Sequence, residues 1–295
     1  MHAAKRLSFC LAMLIVAGCA STSLGLRYDP NKLVYTSDAK GFASAELKPL
    51  FDRLLSDTKP LVLFVHGRGD EPNKSLSPAR FGGHLGGGVG KLEQYGTNVV
   101  MFSWDSKAAA GNRDDRRRPL GNMPDAAKNL DTVLAALSQS VAEHANHPPV
   151  TLLAHSMGSI VVQTYLQDHS LPARVFTTVV LSSPDADRPG HRVWVDKIAP
   201  VAPVFVTANK NDIVLNKSLD AREPPSARAL GLDPGSEVSQ SATYIYLDDI
   251  KAHEIFTERG SHPEIARFFT SVFEGKPVAL GSVEPGSGKR FHLPA

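Results

Sequence analysis

Five residues, Ala154-His155-Ser156-Met157-Gly158, stand between a continuous apolar run and a segment of helical spacing. Small residues two places before and two places after the serine permit a tight turn from strand into helix, which would lift the Ser156 hydroxyl above the strand. The same turn sets the next backbone N–H, that of Met157, at a helix N-terminus, where an oxyanion is stabilised. A serine hydroxyl is a poor nucleophile near pH 7. It needs a base to take its proton and a third group to orient that base. Asp212, in Asn209-Lys210-Asn211-Asp212, follows another apolar run and is a candidate for the orienting carboxylate. Asp185 and Asp187, after the preceding run, compete for the role. His253 and His262 are the candidate bases. His66-Gly67-Arg68-Gly69 closes an earlier run. Gly67 lets the chain bend close to the serine, so the Arg68 N–H is the second candidate oxyanion donor. His66 itself reads as structural. No His-Glu-x-x-His or clustered ligand spacing occurs, so no metal is expected, and acyl transfer through a serine would require no cofactor.

The elements that must position these groups follow from hydrophobic pattern. Unbroken apolar runs at 61–65, 98–102, 150–154, 176–181, 204–207 and 243–247 suit strands buried on both faces of a parallel sheet. Helical spacing predicts helices over 44–56, from Pro124 to Val141, over 157–168 and over 263–274. Strands alternating with helices of this length predict one α/β domain, a mostly parallel sheet covered on both faces. Segments 68–95, 105–122 and 213–242 read as loops or small caps. The first holds Gly82-Gly83 and Gly86-Gly87-Gly88, but Leu85 and Leu92 break the spacing of a phosphate-binding loop. Arg68-Gly69-Asp70 is too short to carry meaning alone. Only 20 residues lie between Ser182 and Pro203, too few for a large helical lid. The Gly/Pro/Ser-rich stretch 276–295 is expected to wrap the surface or fray. No internal repeat is present.

The chain has 295 residues, 42% hydrophobic and 21% charged, with a formal charge of +2. This is ordinary globular composition, with no net field for nucleic acid. Arg116-Arg117-Arg118 follows Asp114-Asp115 and reads as a solvated face. Two cysteines exclude a disulfide framework. Lys5 and Arg6 precede an 11-residue apolar run, Leu7 to Ala17. A membrane-spanning helix needs about 20 residues, so the run reads as a secretory signal. Val16-Ala17-Gly18-Cys19 resembles the bacterial lipobox, which implies cleavage before Cys19 and its diacylation. Ala20 and Ser21 follow, with no Asp at the second mature position, a pattern similar to that of outer-membrane sorting facing the periplasm. The expected organisation is signal 1–18, tether 19–43, a domain over 44–275 and a tail 276–295.

From Pro60 to Glu274 the sequence resembles α/β-hydrolase-fold serine hydrolases. More narrowly it is similar to a bacterial branch of uncharacterised α/β hydrolases. The residues that carry the likeness are Phe64-Val65-His66-Gly67, Phe102-Ser103-Trp104, the Ala154–Gly158 turn and Ser183-Pro184-Asp185-Ala186-Asp187. Where that family often has Trp-Pro-Ser, this chain has Trp104-Asp105-Ser106. The resemblance implies the chain order Ser, Asp, His, hence Ser156, Asp212 and a histidine in the loop after the last strand. His253 fits that loop, in Ala252-His253-Glu254-Ile255-Phe256. His262 lies in Ser261-His262-Pro263-Glu264, which has the form of a capping box. The expected activity is hydrolysis of carboxylic esters, on a small-molecule or lipid substrate, by a protein held to the membrane through Cys19. The alternative is a catalytically silent envelope protein that uses the fold to bind a ligand or partner.

Overall fold

The computed structural model describes residues 28–69, 88–107, 114–222, 224, 227–247, 250–283 and 289–294. Cys19, the signal segment and the glycines at 82–87 lie outside the described residues. Among those described, nine strands form one sheet: β1 (Val34–Thr36), β2 (Gly41–Phe42), β3 (Leu61–Val65), β4 (Asn98–Phe102), β5 (Val150–His155), β6 (Thr178–Ser182), β7 (Val204–Ala208), β8 (Ala242–Tyr246) and β9 (Arg290–His292). Their order is β2-β1-β4-β3-β5-β6-β7-β8-β9. Strands β3 to β9 pair in parallel, while β1 is antiparallel to both β2 and β4. The six expected runs become β3 to β8.

Continuous apolar runs are needed because both faces are covered. Leu61, Leu63 and Val65 of β3 join one core with residues of α1 (Leu47–Leu55), α4 (Met123–Glu143) and α5 (Gly158–Asp168). Val62 and Phe64, pointing the other way, join a second core with residues of α2 (Gly88–Glu93) and α8 (Pro263–Phe273). The alternation is the period-2 rule of a strand applied to a two-sided sheet.

Five elements depart from the sequence reading, the first being α2 (Gly88–Glu93), which occupies part of the expected loop 68–95. A helix, α3 (Asp114–Gly121), occupies part of the expected loop 105–122. Another, α6 (His191–Ile198), sits between β6 and β7, with Trp194, Val195 and Ile198 buried. The expected loop 213–242 opens with α7 (Ile213–Lys217), capped by Asp212. The tail supplies the edge strand β9, with Ile245 opposite Phe291, rather than only wrapping the surface. The segment before residue 43 likewise enters the sheet, as β1 and β2. Short strands at sheet edges need only one face covered and carry little periodic signal. Among the described residues no helix is long and apolar enough to cross a membrane.

Candidate active site

Strand β5 ends at His155, and the next residue, Ser156, has φ of +53°. That left-handed backbone costs a non-glycine residue on the order of 1–3 kcal/mol and persists only where neighbours over-determine it. Here the neighbours are explicit. The Ser156 N–H donates to the Ser182 carbonyl at 3.0 Å. Its own carbonyl accepts from the Ser159 hydroxyl at 2.6 Å and from the N–H groups of Ser159 and Asp185 at 3.1 and 3.0 Å. Helix α5 begins two residues later at Gly158. A β-carbon there would stand 2.2 Å from the Val65 carbonyl oxygen, so only glycine lets the helix approach the end of β3. One at Gly67 would come within 2.8 Å of the Ser156 β-carbon.

The end of β3 is held from the side. The Trp104 indole N–H donates to the His66 carbonyl at 3.0 Å, and the two rings stack at 5.7 Å. His66 Nδ1 meets the Gly67 carbonyl at 2.8 Å, in keeping with a structural histidine. The Gly69 N–H donates to the Ser106 carbonyl at 3.2 Å, so Trp104-Asp105-Ser106 fixes the turn that carries Arg68.

Asp212 is fully buried as the N-cap of α7. Its Oδ1 accepts from the N–H groups of Val214 and Leu215, both at 2.9 Å. Its Oδ2 lies 2.7 Å from His253 Nδ1. The His253 ring packs against that of His155 at 4.7 Å, and His155 in turn meets the edge of Phe256. Ser156, His253, Arg68 and Met157 all line one cavity of about 430 Å³, with Asp185, Val214, Leu215, Ser218 and Thr257 among its other walls. The structure therefore brings together the residues singled out at 68, 156, 157, 212 and 253.

His262 stands apart. It is the N-cap of α8, with Nδ1 3.0 Å from Glu264 Oε1. The expected capping box does not form: Ser261 closes the preceding 3-10 turn, its N–H bonded to the Glu258 carbonyl. Asp185 and Asp187 are engaged elsewhere, with two arginines. Arg222, fully buried, pairs with both carboxylates, and Arg116 reaches Asp185 at 3.5 Å and Asp187 at 3.3 Å. Burial pushes the Arg222 guanidinium below arginine's usual value, opposed by Asp185 and Asp187 and reinforced by Arg116. The reading of Arg116 as part of a solvated face is thus corrected. It is 6% exposed, and ion pairing in place of an apolar stripe explains why α3 has no periodic signature. Among the described residues no group of His, Cys, Asp and Glu could hold a metal.

A mostly parallel sheet covered by helices, with a strained serine between β5 and α5, defines the α/β-hydrolase class. Residues 43–220 match the model of the family described as "Alpha/beta hydrolase of unknown function (DUF900)", and the chain belongs to that family. No protein of curated function matches it significantly in sequence. Similar solved structures include a lipase-esterase related protein from Clostridium acetobutylicum, 14% identical over 72% of this chain and 93% of that one, with a TM-score of 0.39. EstE5-PMSF is 15% identical over 73% and 75% of the two chains, with a TM-score of 0.38. A puromycin-hydrolyzing peptidase of Mycobacterium tuberculosis is 14% identical over 81% of this chain and 36% of that one, with a TM-score of 0.35.

Proposed function

We propose that this α/β hydrolase is a serine hydrolase that cleaves carboxylic esters through an acyl-enzyme. The observation that carries the reading is the buried Asp212 carboxylate 2.7 Å from His253 Nδ1, beside a cavity that Ser156 also lines. With Nδ1 committed to Asp212, the ring is oriented to take a proton at Nε2. Ser156 attacks the ester carbonyl as His253 accepts its proton, and the resulting imidazolium is stabilised by Asp212. The oxyanion is held by the backbone N–H groups of Arg68 and Met157. His253 then protonates the departing alcohol, and water, activated by the same ring, releases the acid. No cofactor takes part. The cavity suits an ester of modest size or one end of a lipid. The lipobox at 16–19 adds a diacyl anchor on Cys19, which would keep the protein in a bacterial envelope, at the periplasmic face of the outer membrane.

A fluorophosphonate probe and p-nitrophenyl esters of graded chain length test the reading together. Wild type should label and turn over. Ser156→Ala should do neither, with losses on the order of 10⁴–10⁶ in kcat. Turnover by Ser156→Ala within about tenfold of wild type would mean another nucleophile. A folded wild type that neither labels nor turns over would instead favour the silent binding protein.

A further inference from the structure

The acid and the base of the site come from different loops, Asp212 from the turn after β7 and His253 from the loop after β8. Something must fix one loop against the other, because a base displaced by about 1 Å costs on the order of 10²-fold in rate. Beside the Asp212–His253 hydrogen bond itself, a carboxamide ties the two loops together. Asn209, fully buried at the end of β7, turns its Oδ1 toward its own loop and accepts the Asn211 N–H at 2.9 Å. Its backbone carbonyl accepts the Asp212 N–H at 3.1 Å. Its Nδ2 points the other way and donates to the Ile250 carbonyl, and at 3.5 Å to that of Ala252, the residue before His253. The two ends of the amide are told apart by these partners, since carbonyls accept and an N–H donates.

A second donor closes the loop from the other side. Ser183, fully buried with φ of +45°, gives its hydroxyl hydrogen to the carbonyl of His253 at 2.8 Å. Its own N–H is tied to the Thr207 hydroxyl on β7 at 2.8 Å. Neither side chain lines the cavity that holds Ser156 and His253. Both have donors directed at main-chain carbonyls, at 250, 252 and 253, of the loop that bears the base.

We infer that Asn209 and Ser183 are positioning residues, the carboxamide of Asn209 joining the acid turn to the base loop and the Ser183 hydroxyl fixing the base residue itself. The inference rests on the reading of His253 as the base paired with Asp212. It predicts that losing these donors loosens the Asp212–His253 hydrogen bond while leaving the substrate cavity unchanged.

The test uses the folded full chain and two readouts. The first is the downfield imidazole N–H proton resonance of His253, assigned by its loss in His253→Ala and read without substrate. The second is kcat and KM on p-nitrophenyl acetate. Asn209→Asp keeps the shape and the acceptor and removes the donor. Ser183→Ala removes one oxygen and serves if the carboxylate that Asn209→Asp buries prevents folding. Expected for either variant are loss or an upfield shift of the resonance and a fall in kcat on the order of 10-fold to 10²-fold, with KM within about twofold. An unchanged resonance in both folded variants overturns the inference whatever happens to kcat. So does a rise in KM at constant kcat, which would place the residues in substrate binding. If wild type hydrolyses no ester but shows the resonance, the proposed function fails while the resonance alone still decides positioning.

Discussion

Ser156 is held where a serine would not settle by itself. Its left-handed backbone is fixed by hydrogen bonds on both its N–H and its carbonyl, and Gly67 and Gly158 remove the β-carbons that would block the approach of β3. The two histidines contrasted in the sequence differ in what they touch. His253 shares a hydrogen bond with a carboxylate that has no exposure, and it lines the cavity that Ser156 also lines. His262 caps a helix at a positive dipole end and pairs with Glu264 on a half-exposed surface. On one activated ester, His253→Ala should lose on the order of 10⁴-fold or more of wild-type turnover. His262→Ala should stay within about threefold, as surface substitutions usually do. Steady-state kinetics of the two variants decide the matter, and the reverse ordering would move the base to the start of α8.

At the scale of elements, the loop after β6 and the helix α3 are joined by charge. Asp185 gives its N–H to the Ser156 carbonyl, while its carboxylate meets Arg222, Arg116 and the Ser218 hydroxyl. Removing Arg222 leaves a nearly buried carboxylate with half its compensation, and breaking such pairs costs about 3–5 kcal/mol. Arg222→Leu should therefore lower the urea midpoint by that equivalent. Asp185→Asn combined with Arg222→Leu should recover much of the loss, since the uncompensated charge is then gone. A single variant within about 1 kcal/mol of wild type would show the cluster to be dispensable. This cluster also marks where the sequence is silent. Strands β3 to β8 and helices α1, α4, α5 and α8 were legible because burial writes itself as apolar periodicity, whereas the proposed Ser156, Asp212 and His253 were singled out through the chain order that the family resemblance implies. Helix α3 was hidden because Arg116 faces inward on ion pairs. The positioning inferred for Asn209 and Ser183 was hidden for a different reason. A buried amide or hydroxyl that serves main-chain carbonyls has no partner of matching type to find in the sequence, and Asn209 reads there only as part of a turn.

The whole molecule places its site and its N-terminal connection at the same rim of the sheet. Ser156 follows the carboxyl end of β5, and Gly67 and Arg68 follow that of β3. Strand β1 runs antiparallel and enters beside the carboxyl end of β4, with Val34 opposite Phe102 and the Leu33 carbonyl accepting the Ser103 N–H at 2.9 Å. Tyr28 is nine residues beyond Cys19, and nine residues fully extended span at most about 30 Å. A diacylated Cys19 would therefore hold the rim that bears the cavity close to the bilayer surface. Each buried methylene contributes about 0.8 kcal/mol, so two acyl chains suffice for stable attachment. The expected consequence is a substrate-dependent effect of the anchor. Wild type should fractionate with membranes, and Cys19→Ser should be found in the soluble periplasmic fraction or remain unprocessed. On a water-soluble short-chain ester the purified proteins should be equal within about twofold, because neither the cavity nor the stability of the domain depends on residue 19. On a long-chain ester dissolved in phospholipid vesicles the lipidated protein should be faster, through the high effective concentration of a tethered enzyme. Equal rates on the vesicle substrate would mean that the tether does not present the cavity to the membrane. A wild-type protein that is soluble, with an unmodified N-terminus by mass spectrometry, would remove the anchor altogether.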